Sequence, residues 1–241
     1  MDFWGTLLVD PPSSDDRYKR RRMDDFEKIL AGAGLRASRR ALDAGYESSG
    51  VYLGRTWRDL RDVPVQDHVG AILTAVDRTL SRRVPPDVMT DLVDAYSRPA
   101  LLVPPAVDPG ARAALETLVD RGYTLVLVSN TMRTPGVILR MLLERYGLLR
   151  LFAHTTFSDE IGIRKPAPEI FAHSLRAVGG EASAAVHVGD DVTLDVRGAR
   201  AAGMRAIHVA AAPGRSPARS LADAVIPSLR ELPAAVARLD G

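Results

Sequence analysis

The chain contains no cysteine. That excludes disulfides, thiolate metal sites and cysteine nucleophiles, and it agrees with a reducing compartment. No apolar run approaches the ~18 residues needed to cross a bilayer, and no basic leader followed by an apolar stretch is visible. The expectation is a cytoplasmic protein without membrane contact. Net charge is also scarce, since 32 Lys+Arg oppose 30 Asp+Glu to leave +2. A surplus that small provides no clustered basic field for nucleic acid. Lysine itself is rare: of the 32 basic residues only Lys19, Lys28 and Lys165 are lysine. Each retained ammonium is therefore worth inspecting, because Arg and Lys do different chemistry.

What remains is ordinary for a soluble globular protein. The 241 residues, 46% hydrophobic and 26% charged, are enough for a sizeable core. From about 106 to 239, strand-like and helical patterns alternate. "GYTLVLVSN" (122–130), "AAVHVGDD" (184–191), "RAIHVAA" (205–211) and the shorter "DAVIPSL" near 223 each follow a helical segment. Alternation of this kind predicts a doubly wound parallel α/β sheet covered on both faces. Residues 11–103 read differently, as helices without a convincing strand. Asp15 is the expected cap of the first helix, Gly32 or Gly34 its stop, and Pro85–Pro86 the start of the last. The predicted organisation is an α/β core from 1–10 and 104–241 with a helical cap at 11–103. "APGRSPARS" (212–220) reads as a short loop.

In open parallel sheets, ligands bind beyond the carboxyl ends of the strands. The residues found there are Asp2, Gly5 and Thr6; then Ser129, Asn130 and Thr131; then Gly189, Asp190, Asp191 and, four further on, Asp195. Lys165 lies between the second and third groups, before a proline. Each group alone has a bland explanation as a helix cap, a turn or a solvated charge. Their ordered coincidence points to one site.

This order resembles the haloacid dehalogenase-like hydrolase superfamily. Asp2-Phe3-Trp4-Gly5-Thr6 corresponds to its Asp-x-Asp-Gly-Thr motif, Ser129 to its second motif, Lys165 to its third, and Gly189, Asp190 and Asp195 to its fourth. The resemblance implies a Rossmann-like core and hydrolysis through an aspartyl-enzyme intermediate. It implies Asp2 as nucleophile and Mg²⁺ held by Asp2, Asp190 and the Trp4 carbonyl, with Asp191 and Asp195 as outer or alternative ligands. Lys165 and Ser129, with the amides of Asn130 and Thr6, would bind the transferring group. The implied substrate is a small phosphorylated metabolite.

Two departures qualify that expectation. Trp4 stands where the family's phosphatases carry a second aspartate that acts as acid and base, and an indole can only donate. The aromatic side chain there resembles the metal-independent 2-haloacid dehalogenases, which makes dehalogenation the alternative enzymatic reading. A catalytically weakened relative that binds a phosphorylated ligand or partner is a third. In addition, only Met1 precedes Asp2, so the strand expected to carry the nucleophile is short; a start a few codons upstream is the explanation expected. Outside the motifs, Arg17–Arg22 reads as a solvated helix face, with contact to an anionic substrate as the alternative. Trp57, His187 and His208 read as packing residues.

Overall fold

The computed structural model describes residues 1–10, 13–210 and 221–240; the loop read at 212–220 falls outside them. Seven strands are present among the described residues: β1 (Leu8–Val9), β2 (Ala106–Val107), β3 (Val126–Ser129), β4 (His154–Phe157), β5 (Val186–Gly189), β6 (Arg205–Val209) and β7 (Ala224–Ile226). β3 pairs in parallel with β4, and β5, β6 and β7 form a second parallel group. The four predicted strand segments each contain a strand. β4 was not anticipated, because "HTTF" is short and too polar to stand out. The antiparallel β1–β2 pair was also not anticipated; it draws together the two ends of the helical stretch between them.

The two parallel groups are joined by the first two residues of the chain. The Met1 amine donates to the Val126 carbonyl (2.8 Å), and Val128 N–H donates to the Met1 carbonyl (2.9 Å). Asp2 N–H donates to the Val188 carbonyl on the other side (2.9 Å). This is the hydrogen-bond pattern of a parallel strand between β3 and β5, but one only two residues long. Beneath it lies a cavity of about 400 Å³ lined by Met1, Leu125, Val126, Val186 and Val188. Burial of the Met1 ammonium in this apolar slot pushes its pKa down to about 5.

Strand alternation divides the core. Leu127, Val188 and Ile207 face one cluster with Leu115, Leu139 and Leu142. Val128 and Ala206 face another with Ile170, Phe171 and Val196. Successive side chains point to opposite faces, and both faces are covered, as the sequence predicts for a doubly wound sheet.

The stretch between β1 and β2 is helical. Its main helices are α1 (Ser14–Gly32), α2 (Arg39–Arg58), α3 (Val65–Val76) and a further helix at Pro86–Ser97. Met23, Phe26 and Leu30 lie on one face of α1 and pack with Leu42, Ile72, Leu73, Leu92 and Tyr96 in a cluster of their own. The cap of α1 is Ser13 rather than Asp15, which sits inside the first turn, where a carboxylate suits the positive end of the helix dipole. α3 ends at Val76, and Asp77 just beyond it accepts from both the amide and hydroxyl of Thr79.

Candidate active site

Asp2 sits where β3 and β5 end, held from both sides by the backbone bonds described above. Its carboxylate is buried, and its Oδ1 accepts a 2.6 Å bond from Lys165 Nζ. The same ammonium donates to Asp195 Oδ1 at 2.6 Å. His187 Nε2 lies 2.8 Å from that oxygen, and the other oxygen of Asp195 accepts from the Asp191 amide at 3.0 Å. Asp2, Lys165, Asp195 and His187 thus form one buried chain of polar contacts.

Electrostatics separate the two carboxylates around the shared ammonium. Burial raises the Asp2 pKa to about 7, against the attraction of Lys165 and with repulsion from Asp195 adding to the rise. Burial also acts against the charge on Asp195, but Lys165 and the bond from His187 outweigh it and hold that carboxyl well below the usual range. Burial of Lys165 opposes its charge, yet Asp195 and Asp2 more than compensate and raise its pKa. His187 is driven down to about 3 by burial and then by the nearby terminal amine, so it is neutral at physiological pH. Two carboxylates with pKa values pushed apart in one site are a pattern of acid–base chemistry.

Two glycines allow the acids to converge. Gly5 has φ +74, and a Cβ there would stand 2.5 Å from Asp190 Oδ2. A Cβ on Gly189 would stand 2.2 Å from Asp195 Cγ. Neither position tolerates a side chain without moving a carboxylate. As a result, oxygen atoms of Asp2, Asp190 and Asp195 all lie within 4.8 Å of one another. Three carboxylates, two of them buried and Asp190 partly exposed, form an all-oxygen donor set that fits a hard divalent cation such as Mg²⁺.

The other motif residues gather nearby in distinct roles. Thr6 Oγ1 is 3.5 Å from Asp190 Oδ1. Ser129 is fully buried at the end of β3, with its hydroxyl 3.5 Å from the Asn130 carbonyl. The Asn130 side chain binds both backbone groups of Lys165. Asp191 turns away to cap the following turn, where its Oδ1 accepts from the amides of Thr193 and Leu194. The Trp4 indole packs edge-on against Phe3, and among the described residues its shielded N–H has no hydrogen-bond partner.

The sequence model of the haloacid dehalogenase-like hydrolases matches residues 1–203. The chain belongs to this family. A phosphoserine phosphatase of Thermus thermophilus is 37% identical over 124 residues, covering 52% of this chain and 48% of that protein. The chain spans about half the length of the curated relatives it matches. Among solved structures, a 2-haloacid dehalogenase from Pseudomonas syringae pv. Tomato superposes with TM-score 0.70 at 24% identity, over 99% of this chain and 96% of that one. A phosphatase of the same family from Thermococcus onnurineus gives 0.60 at 24% identity, over 98% and 95%. Both structures share the fold.

In this haloacid dehalogenase-like hydrolase, residues outside the motifs also reach the motif residues. His187 is buried and packs edge-on against Phe171, as its reading as a packing residue expects, and strand alternation also puts it on the same face as Gly189, over which Asp195 folds. His208 Nε2 meets the Asp190 carbonyl at 3.1 Å. Asp62, in the loop after α2, reaches the α/β core and accepts from Ser158, Thr131, Trp57 and Arg164. Arg164 immediately precedes Lys165, so this buried ion pair ties the helical part to the loop that carries the ammonium. Trp57 lies under the Arg164 guanidinium, 4.4 Å from its centre.

Between the helices and the sheet lies a cleft of about 490 Å³. Trp4, Gly5, Tyr46 and Trp57 line it, and its charged lining is mixed, with Lys19, Arg22 and Arg133 beside Asp10, Asp15, Asp16 and Glu47. The basic run of α1 therefore divides. Arg17, Arg20 and Arg21 are exposed, as expected of a solvated face, whereas Arg22 is buried. No described helix is long and apolar enough to cross a membrane.

Proposed function

We propose that this protein is a Mg²⁺-dependent phosphatase of a small phosphorylated metabolite, with Asp2 as nucleophile. The observation that carries the reading is the convergence of Asp2, Asp190 and Asp195 within 4.8 Å, with Lys165 bonded to two of them. Asp2 attacks phosphorus as the ester P–O bond breaks, forming an aspartyl phosphate and an alkoxide that takes its proton from water, since Trp4 supplies none; water then cleaves the acyl phosphate, releasing inorganic phosphate and regenerating the carboxylate. Lys165 orients Asp2 and neutralises the phosphoryl oxygens as a compact charge. Asp2 and Asp190, with the Trp4 carbonyl, would hold the metal, which supplies charge neutralisation between two anionic reactants. Asp195, its oxygens already engaged by Lys165, His187 and the Asp191 amide, fixes the ammonium from behind. Asp191 shapes the turn that presents Asp190. Ser129 and the amides of Asn130 and Thr6 complete the phosphoryl pocket. Residues 11–103 act as the cap over a core of 1–10 and 104–241, and the cytoplasm is the compartment this reading carries.

Trp4 favours a second reading, metal-independent dehalogenation of a 2-haloacid, because it removes the side chain that would protonate a leaving group. The two separate in one assay. Phosphate release from a panel of phosphomonoesters is measured with Mg²⁺ and with chelator, in wild type and Asp2→Asn. Metal-dependent release abolished in Asp2→Asn supports the phosphatase, while halide release in chelator with no phosphate release would overturn it. Trp4→Asp is expected to raise phosphatase turnover by restoring an acid/base at that position.

A further inference from the structure

We propose that Asp62 is a positioning residue for the reaction: from the helical stretch it clamps the two loops that carry Thr131 and Lys165, and the placement of the Lys165 ammonium depends on it. The inference rests on the reading of Lys165 as the charge that orients Asp2, and it adds a residue that lies in none of the motifs. Asp62 sits in the loop after α2, and its side chain is fully buried. Its Oδ2 accepts from the Arg164 guanidinium, from Ser158 Oγ at 2.5 Å and from Thr131 Oγ1 at 3.3 Å. Its Oδ1 accepts from the Trp57 indole and from the Val63 amide, both at 3.0 Å. A buried carboxylate with five donors is fixed in place as well as neutralised.

What Asp62 holds is the backbone that leads into the site. Arg164 Nη1 also donates to the Thr131 carbonyl at 2.6 Å, and Ser158 Oγ accepts from the Thr131 amide at 2.8 Å. Thr131 follows Ser129 and Asn130, and Arg164 immediately precedes Lys165. The main chain is gripped too. The Arg164 amide donates to the Leu60 carbonyl at 3.0 Å, and the Asp62 amide donates to the Gly162 carbonyl at 3.1 Å, around an antiparallel bridge between Arg61 and Ile163. Leu60 makes its contact at φ 57, a left-handed conformation that leucine rarely adopts, and such strain persists only where the surroundings enforce it. On the site side, Asn130 bonds both backbone groups of Lys165. Removing the Asp62 charge leaves the buried Arg164 guanidinium without its ion-pair partner. Asp159 also acts electrostatically on Arg164, and a guanidinium that turned toward it would carry the adjoining Lys165 backbone along.

The scarcity of lysine makes the ammonium itself observable. Of Lys19, Lys28 and Lys165, Lys165 is buried, Lys28 exposed and Lys19 partly exposed. Heteronuclear NMR of the lysine ammonium groups, on the full chain without metal or substrate, should show slow proton exchange with water at Lys165 alone. In Asp62→Asn, which keeps the shape and removes the charge, exchange at Lys165 should speed up at least about tenfold. The same variant should lose about 10–10²-fold in kcat for phosphate release, as a displaced reacting group does. Leu30→Ala opens a cavity in the separate cluster of the helical stretch. It controls for lost stability and should leave both readings at wild-type values, with circular dichroism establishing that each variant is folded. If Asp62→Asn does not fold, Ser158→Ala decides by the same two readings, because it removes the hydroxyl shared by Asp62 and the Thr131 amide. Wild-type exchange in the folded variant, wild-type kcat despite altered exchange, or equal changes in Leu30→Ala each overturn the proposal. Absence of turnover on every ester by the wild type refutes the phosphatase reading instead, and the exchange comparison then decides whether Asp62 places the ammonium.

Discussion

Asn130 grips the backbone of Lys165 from both sides. Its Nδ2 donates to the Lys165 carbonyl at 3.0 Å, and its Oδ1 accepts from the Lys165 amide at 2.8 Å. The side chain that follows the second strand motif thereby sets the position of the third. Asn130→Ala removes both bonds while leaving the lysine in place. The expected outcome is a drop in kcat/KM of about 10²-fold, the usual consequence of shifting a reacting group by ~1 Å. Steady-state phosphate release measures it, and unchanged kinetics would assign Asn130 a purely structural role.

Lys165 donates from one ammonium to both Asp2 and Asp195. Lys165→Met should reduce phosphate release by ~10²–10³-fold or more, because a charge aimed at the transferring group is among the largest catalytic contributions. It should also shift the acid limb of stability, since two buried carboxylates lose their common counter-ion. Parallel activity and urea titrations read both effects. A variant with wild-type turnover would remove Lys165 from the mechanism.

Asp62 offers a test of the helical part's attachment. Its carboxylate is fully buried, and it accepts from Arg164, Ser158 and Thr131 across the boundary between helices and sheet. Asp62→Ala would strand the buried guanidinium, a change that costs about 3–5 kcal/mol. Chemical denaturation should show a loss of that size, and a loss below ~1 kcal/mol would mean that the ion pair contributes no more than a surface one.

His68 predicts how stability depends on pH. It is buried in the helical cluster with its Nδ1 3.3 Å from the Tyr96 hydroxyl. Burial lowers its pKa from 6.5 to about 4; the nearby Asp62 carboxylate works against that fall, while Arg133, Arg22 and Arg164 add to it. Between those values the unfolded chain binds the proton and the folded chain does not, so stability rises with pH. The contribution is complete above about pH 6.5 and is lost as pH falls toward 4, for a total of about 3 kcal/mol. Thermal melts from pH 7.5 to 4.5 should be shallower in His68→Gln than in wild type. Identical slopes would count against a neutral buried His68.

The slot beneath Met1 gives a prediction by addition. Four or five apolar β-branched residues placed ahead of Met1 would continue the two-residue strand into the cavity of about 400 Å³ between β3 and β5. Burying even one such side chain is worth ~2 kcal/mol, which for a chain of this size is a rise of roughly 4–8 °C in Tm. Scanning calorimetry of the lengthened variant checks it, with an equal-length Gly/Ser extension as control. No difference between the two extensions would show that the slot does not accept a strand.

Much of this protein was legible from its order of residues alone. Alternating apolar runs marked β3, β5, β6 and β7, because a strand covered on both faces must be continuously apolar. The spacing of Met23, Phe26, Ile29 and Leu30 marked α1, because a helix must bury one stripe. Polar residues just beyond the strand ends marked the site, because a parallel sheet exposes its functional edge there. Tertiary structure alone decided the rest. Arg22 and Arg21 are chemically identical neighbours, yet one is buried and the other exposed. Asp195 meets both Lys165 and His187, and Asp62 meets Arg164, only because segments far apart in the chain fold against each other. Local periodicity records which face a residue takes on its own element, but it carries no record of what another element will bring opposite.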